Sequence, residues 1–205
     1  MPHLKANQRR IDAATLPGAG ERIDQAAAIA EEFVRRGFLK IGIDHFARPD
    51  DTLARAAIAG RLHRNFQGYT DDARETLIGF GASSISRFRG GYVQNVSDVP
   101  TYVRAISCGK LASSRGCRLD AAERQRARTI ESLMCAFEVN LDLTAPDMEF
   151  TEELLSLQPL VEDGLVRILD RVVTATEAGR SVVRVIAAAF DPHTRVDAGR
   201  FSKAV

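Results

Sequence analysis

Phe38-Leu39-Lys40-Ile41-Gly42-Ile43-Asp44-His45-Phe46-Ala47-Arg48-Pro49-Asp50-Asp51 decides the class of the fold. It opens on an apolar run of strand length, Phe38 to Ile43. A helical pattern precedes that run. After the breakers Pro17, Gly18 and Gly20, the apolar residues Ile23, Ala27, Ala30, Phe33 and Val34 recur at helical spacing, and Gly37 is placed to stop the helix. Helix, glycine, short strand and polar loop is the rhythm of an α/β unit. In α/β proteins the carboxyl ends of parallel strands carry the chemistry, which singles out Asp44 and His45. The same loop also reads as a helix cap at Asp50 or Asp51 beside a surface histidine.

Downstream, residues 52–61 form a short amphipathic pattern that ends at Gly60. His63-Arg64-Asn65-Phe66-Gln67-Gly68-Tyr69-Thr70 follows, rich in hydrogen-bonding side chains and rings that stack. Leu77-Ile78-Gly79-Phe80-Gly81 is a second strand-like run, whose glycines let the backbone approach a neighbour or a ligand. It narrowly misses two motifs. A dinucleotide fingerprint needs glycine where Ser84 stands, and a nucleophile elbow around Ser83 needs glycine where Ile85 stands. Residues 87–119 have weak periodicity. Asp120 and Glu123 then form a capping box ahead of a helix whose apolar face is Ile130, Leu133, Met134 and Phe137.

The last section changes character. Thr151 is read as the cap of a helix bearing Leu154, Leu155 and Leu157, ended or kinked by Pro159. Leu165 to Leu169 reads as a strand, and Asp170-Arg171 as a tight turn into Val172-Val173. Thr174 and Glu177 read as a second capping box before a helix with Val182, Val183, Ile186, Ala189 and Phe190. Helix, helix, short hairpin, helix is a winged-helix-like order.

Composition bounds the function. The chain has 205 residues, 45% of them hydrophobic and 27% charged, which is globular composition. At about 150 residues per domain this is one domain and part of another. The longest apolar run, Val185 to Phe190, is far short of a bilayer span, and the polar start has no secretion signal, so a cytoplasmic protein without a membrane partner is expected. The net charge of +1 gives no global attraction to polyanions. Residues 129–166 hold nine acidic residues and no Lys or Arg, which opposes the phosphate neutralisation that nucleic-acid binding needs. Residues 104–128 hold seven basic residues against two acidic, read either as a solvated face or as a site for a polyanionic small molecule. Cys108, Cys117 and Cys135 form no CxxC pair, which argues against a zinc ribbon, a thioredoxin-type site or a local iron–sulfur motif. Cys135, beside an apolar helical stripe, reads as core.

Together these stretches resemble the oxygen-independent coproporphyrinogen III oxidases, radical S-adenosylmethionine enzymes of porphyrin and haem biosynthesis. Residues 42–51, 62–70, 77–86 and 92–95 carry the resemblance, with Gln8-Arg9-Arg10-Ile11 and Arg200-Phe201-Ser202-Lys203 near the two ends. The resemblance covers essentially the whole chain, but only the C-terminal portion of the family, less than half its length. It implies an α/β fold: terminal strand–helix units of a partial (β/α) barrel at residues 1–95, then a mostly α-helical C-terminal domain at 96–205 with the small winged-helix-like hairpin. A few parallel strands alone would leave edges and an apolar face uncovered, so a chain that is unstable or associates is expected.

The resemblance also implies chemistry. The family, an oxidoreductase, decarboxylates two propionates of coproporphyrinogen III to vinyl groups, giving protoporphyrinogen IX. It uses S-adenosylmethionine and a [4Fe–4S] cluster held by a CxxxCxxC motif. That motif is absent from these 205 residues, so no cluster is expected on this chain and no catalytic or metal-ligating residue is assigned. The chain is expected to be a truncated, inactive portion that would meet coproporphyrinogen III and S-adenosylmethionine only with the missing half. Met1 within a matching region is read as a truncated gene, a frameshift or a misplaced start. In the family the isoleucine of Ser-x-Ile-Ser borders S-adenosylmethionine through its main chain, which implies Ile85 here. The Asn-Phe-Gln-Gly-Tyr loop approaches the second S-adenosylmethionine or the substrate, which implies Phe66 and Gln67. Asp44 and His45 match without a role, and Arg64, Arg87 and Arg89 flank the matching motifs. The alternative is a free-standing, non-catalytic module that binds a porphyrinogen or a partner protein.

Overall fold

The computed structural model describes residues 12–193. The resembling stretches at 8–11 and 200–203 lie outside the described residues. Helix α1 (Ala19–Arg35) follows Gly18, whose N–H donates to the Glu21 carboxylate at 2.8 Å, and Gly37 stands just beyond its end. Strand β1 (Leu39–Ile41) lies within the expected apolar run, but its partner is β2 (His45–Ala47), antiparallel, with Leu39 opposite Ala47. Gly42 makes the reversal: it sits at φ +59, and a Cβ there would lie 2.0 Å from Cζ of Tyr69. A parallel partner needs a crossover of about a dozen residues, and the loop between these strands is far shorter. Every strand pair among the described residues is antiparallel, so none of the parallel pairing expected in 1–95 is found among them.

Helix α2 (Thr52–Ile58) is capped by Asp51, whose carboxylate accepts the Leu53 N–H at 2.8 Å. Strands β3 (His63–Arg64) and β4 (Tyr69–Thr70) form a small hairpin. The run Leu77 to Gly81 is not a strand. Only Leu77 pairs, with Arg87, because the backbone beyond it is held by side chains: Gly79 N–H donates to Ser86 Oγ, and Asn95 Nδ2 donates to the Gly79 and Gly81 carbonyls. The weakly periodic region contains β5 (Ile85–Phe88), β6 (Gly91–Asn95), α3 (Val99–Ser107) and β7 (Ser113–Arg118). The three strands form one sheet in the order β5-β6-β7, which runs across residue 95.

Helix α4 (Ala121–Ala136) carries the expected capping box, with Asp120 and Glu123 each accepting the other's N–H at 2.8 Å. Beyond it come β8 (Glu138–Asn140), α5 (Leu141–Thr144), α6 (Thr151–Ser156), α7 (Gln158–Glu162), β9 (Val166–Leu169) and β10 (Val172–Ala175), then a 3-10 turn (Ala178–Val182) and α8 (Val183–Ala188). Two expected caps are corrected. Phe150, not Thr151, precedes α6, and it makes no side-chain cap. Thr174 lies in β10 and donates its hydroxyl to Glu138, while Thr176 accepts the Gly179 N–H instead. The hairpin gains a third strand, in the order β8-β10-β9. Pro159 breaks the helical run as expected, falling in the first turn of α7.

The fold is therefore mixed α/β, with small sheets. The larger core lies between α4 and Phe190, with Leu133, Phe150, Val173, Ile186 and Phe190 fully buried. A smaller cluster joins Ile41, Ala47, Ala54, Leu62 and Tyr69, with Cys135 packed against it. No helix among the described residues is long and apolar enough to cross a membrane.

Candidate functional site

The β3–β4 hairpin presents two of the expected site residues. The Asn65 side-chain oxygen accepts the N–H groups of Gln67 at 2.8 Å and Gly68 at 3.2 Å, and the Asn65 N–H donates to the Gly68 carbonyl at 3.0 Å. This Asx turn closes the loop and leaves Phe66 and Gln67 at its exposed tip. Phe66 is 54% exposed, and its ring meets Tyr92 of β6 edge to face at 5.1 Å. Arg87 of β5 ties the hairpin down, donating to the Arg64 carbonyl at 3.3 Å and the Arg74 carbonyl at 2.7 Å.

Ile85 opens β5 opposite Gln94. The loop before it is fixed at several points. Ser83 stands at φ +62, donates its N–H to Val96, and accepts Gln94 Nε2 at 2.9 Å, while the Gly81 N–H donates to the Tyr102 hydroxyl at 3.0 Å. Antiparallel ladders alternate between residues that face their partner strand and residues that face away. The Asn95 N–H donates to Ser84, and the Arg87 backbone pairs outward with Leu77. Ile85 shares the parity of Arg87, so its N–H and C=O also turn to the outer edge of β5. A Cβ on Gly79 would lie 2.9 Å from the Ile85 oxygen, so only glycine lets the loop lie this close along that edge.

Ile85 and Phe66 meet at one sheet face. Directly opposed residues of an antiparallel pair point the same way. Ile85 and Arg87, opposite Gln94 and Tyr92, therefore share a face with the ring on which Phe66 leans. Gln67 extends the same loop.

Asp44 and His45 belong to the same neighbourhood. His45 Nδ1 lies 2.9 Å from Asp44 Oδ1, and its ring stands edge-on to Tyr69 at 5.1 Å. Arg184 of α8 donates to the other Asp44 oxygen at 2.9 Å. Burial pushes the Asp44 carboxyl up, but the His45 hydrogen bond and the charges of Arg184 and Arg64 outweigh it and hold the group below the usual carboxylate range. The Tyr69 hydroxyl donates to the Met134 carbonyl at 2.8 Å and accepts the Ile43 N–H at 3.2 Å, and Arg64 lies over the ring at 4.9 Å. Both Asp44 and His45 are partly exposed, and Asp51 rather than Asp50 caps the following helix.

An open cleft of about 550 Å³ lies between α2 and α4, lined by Lys40, His63, Glu131 and Cys135 among others. Burial, with the nearby Glu131, pushes the Cys135 thiol up to about 12, so it is protonated at neutral pH and behaves as packing. Cys108 and Cys117 are exposed. No group of three or more His, Cys, Asp or Glu side chains is gathered for a metal among the described residues.

The basic run 104–128 divides. Arg124 donates to the Leu119 carbonyl at 2.8 Å, Arg126 pairs with Glu153 at 2.6 Å, and Arg128 donates to the Thr144 carbonyl at 3.2 Å. Those three arginines hold the fold. Tyr92, the ring under Phe66, stands in the matching stretch 92–95, but nothing in the local sequence marks it as the partner of Phe66.

No protein-family model matches the chain. It is 44% identical over 199 residues to an oxygen-independent coproporphyrinogen III oxidase of Bradyrhizobium diazoefficiens, covering 94% of this chain and 44% of that protein. It is 38% identical over 203 residues to the protein of the same name from Salmonella typhimurium, covering 95% of this chain and 44% of that one. A solved structure, coproporphyrinogen III oxidase from Escherichia coli, described as a radical SAM enzyme, superposes with a TM-score of 0.85 at 36% identity, over 94% of this chain and 46% of that chain. The chain spans a little under half the length of the relatives it matches.

Proposed function

We propose, from the premise that this chain is homologous to the C-terminal region of oxygen-independent coproporphyrinogen III oxidases, that it forms the substrate-side wall of a radical S-adenosylmethionine active site. The observation that carries this reading is the shared face of β5 and β6, which brings Ile85 together with the Tyr92 ring that supports Phe66. In the proposed role these residues serve the oxidative decarboxylation of coproporphyrinogen III to protoporphyrinogen IX. The proposed division keeps residues 1–95 on the barrel side and 96–205 as the C-terminal domain, the two joined by the β5–β7 sheet.

The residues present fit an adenosine. In the proposed site Phe66 offers a flat apolar surface, Gln67 an adjacent amide and the Ile85 N–H a donor, with the Ile85 carbonyl lying against Gly79. S-adenosylmethionine, when bound, supplies the radical chemistry, and the protein's part is orientation and electrostatics. The residues present do not fit a [4Fe–4S] cluster. Cys108 and Cys117 are exposed on separate elements, Cys135 is held as a neutral thiol, and no CxxxCxxC motif occurs. Catalysis is therefore assigned to these residues only in the company of others that hold the cluster.

The test is an NMR titration of the 205-residue chain with S-adenosylmethionine, followed by coproporphyrin III. Shifts centred on Ile85, Phe66 and Gln67 with S-adenosylmethionine are the expected result, reduced about tenfold in apparent affinity in Phe66→Ala, the size that loss of one stacked ring gives. Shifts centred elsewhere overturn the site. Binding of the porphyrin alone, without S-adenosylmethionine, favours the free-standing binding module instead.

A further inference from the structure

We infer that His45, oriented by Asp44 and Arg184, is a positioning residue that fixes the loop carrying Phe66 and Gln67. The inference deepens the proposed function and rests on the reading that Phe66 and Gln67 face the ligand.

The contact is at Gly68, the residue after Gln67. Gly68 stands at φ +148, and a Cβ there would lie 2.7 Å from His45 Nε2 and 3.1 Å from Cε1. The imidazole thus lies against the Gly68 α-carbon, an approach that any side chain would block. Gly68 is also the hinge of the Asx turn, because its N–H and carbonyl both pair with Asn65. A ring pressed on this one residue limits the turn as a whole. The next residue, Tyr69, is fixed independently by its bonds to Met134 and Ile43. With His45 edge-on to Tyr69, two aromatic rings set the direction in which Phe66 and Gln67 project.

The imidazole itself is aimed from outside the hairpin. An Asp44 carboxylate next to Nδ1 selects the tautomer with the proton there, directing Nε2 and Cε1 toward Gly68. Arg184 holds the second Asp44 oxygen, and it belongs to α8, 140 residues away. Asp44 is 51% exposed on its side chain and Arg184 47%, a setting in which an ion pair adds little to folding stability. Its geometric consequence is larger: it registers α8 against the loop through a single ring. Asp44 held below the usual carboxylate range agrees with an acceptor that stays ionised in this role.

The test uses the ligand-free 205-residue chain labelled with ¹⁵N. His45→Ala and His45→Asn are expected to speed amide exchange at Gln67 and Gly68 by about tenfold, while amides of α4 are unchanged. Asn keeps a donor to Asp44 but cannot reach Gly68, so it separates the ring contact from the hydrogen bond. His45→Phe keeps the ring and is expected to restore most of the protection. Should His45→Ala not fold, Gly68→Ala probes the same contact from the other side and is expected to shift the His45 ring resonances. Unchanged exchange at Gln67 and Gly68 in a folded His45→Ala, or Phe behaving like Ala, overturns the inference. A titration in which ligand misses Phe66 overturns the underlying site reading and leaves the brace intact, so the two failures are distinguishable.

Discussion

The region before Asp120 and the region after it solve burial in opposite ways. After Asp120, α4, α8 and the β8-β10-β9 sheet enclose a core of fourteen buried residues, from Leu133 to Phe190. Before it, the one buried cluster among the described residues has five members, and it leans on Cys135 of α4. Helices α1 and α3 bury no residue at all, and Ile23, Ile29, Val34, Val99, Val103 and Ile106 are all about half exposed. All six residues of β7 are exposed. The C-terminal region is a self-contained packing unit, whereas the N-terminal region is a set of well-formed local elements whose apolar faces lack a second layer. Local hydrogen bonding and capping suffice to shape hairpins and helices, but burial of an enclosing kind needs facing surfaces.

The contrast breaks first in the core. Phe150→Ala removes a ring packed edge-on against Phe190, both 1% exposed or less, and should cost about 3–5 kcal/mol, whereas Ile29→Ala, 54% exposed on α1, should cost about 1 kcal/mol or less. Equilibrium urea unfolding measures both, and equal costs would erase the distinction between the regions. The seam between them is next. Tyr69→Phe strips the hydroxyl that joins Ile43 to the Met134 carbonyl, with an expected loss of about 1–3 kcal/mol from polar groups left unpaired. The exposed faces come third. Sedimentation of the chain is expected to be concentration-dependent, and Ile29→Gln with Val34→Gln should reduce that association without lowering the unfolding midpoint. A monodisperse monomer that unfolds in one transition would show that α1 needs no cover.

The smallest effect is in acid. The Asp44 carboxyl is depressed in the folded chain, so its pairing stabilises above the ordinary carboxylate pKa and is lost as pH falls through the lower, folded value. With both partners about half exposed, solvent screening keeps the gain below about 1 kcal/mol. Asp44→Asn should flatten that part of the pH–stability curve, and an unchanged curve would remove Arg184 from the seam.

The sequence revealed most where a residue's neighbours are sequential. The Asp120–Glu123 box, the Asp51 cap, the Gly37 stop, the Asp170-Arg171 turn and the break at Pro159 all depend on residues within a few positions. It misled where partners are distant. The run at Leu77 is apolar and glycine-spaced like a strand, but its backbone is claimed by Ser86 and Asn95. Strand β7 left no alternating pattern because neither face is buried, and alternation only records burial. Thr174 has capping spacing but is a strand residue, because β8 and β9 flank it on both sides. The motifs pointed to Ile85, Phe66 and Gln67 as separate stretches. The meeting of Ile85 and Phe66 at a single sheet face depends on Tyr92 and the β5–β6 register, which no periodicity encodes.

The bond between Arg184 and Asp44 also sets a clock. Chains emerge from the ribosome at about 5–20 residues per second. Asp44 leaves 140 residues ahead of its partner, so the first hairpin waits about 7–28 s for the arginine that orients it. For most of that interval the hairpin has its own backbone pairs and caps but no Met134 carbonyl to bond, and until its end it has no α8 to dock against. Completion of the loop beside Phe66 therefore lags the synthesis of its own residues, because the arginine that orients it follows 140 residues later.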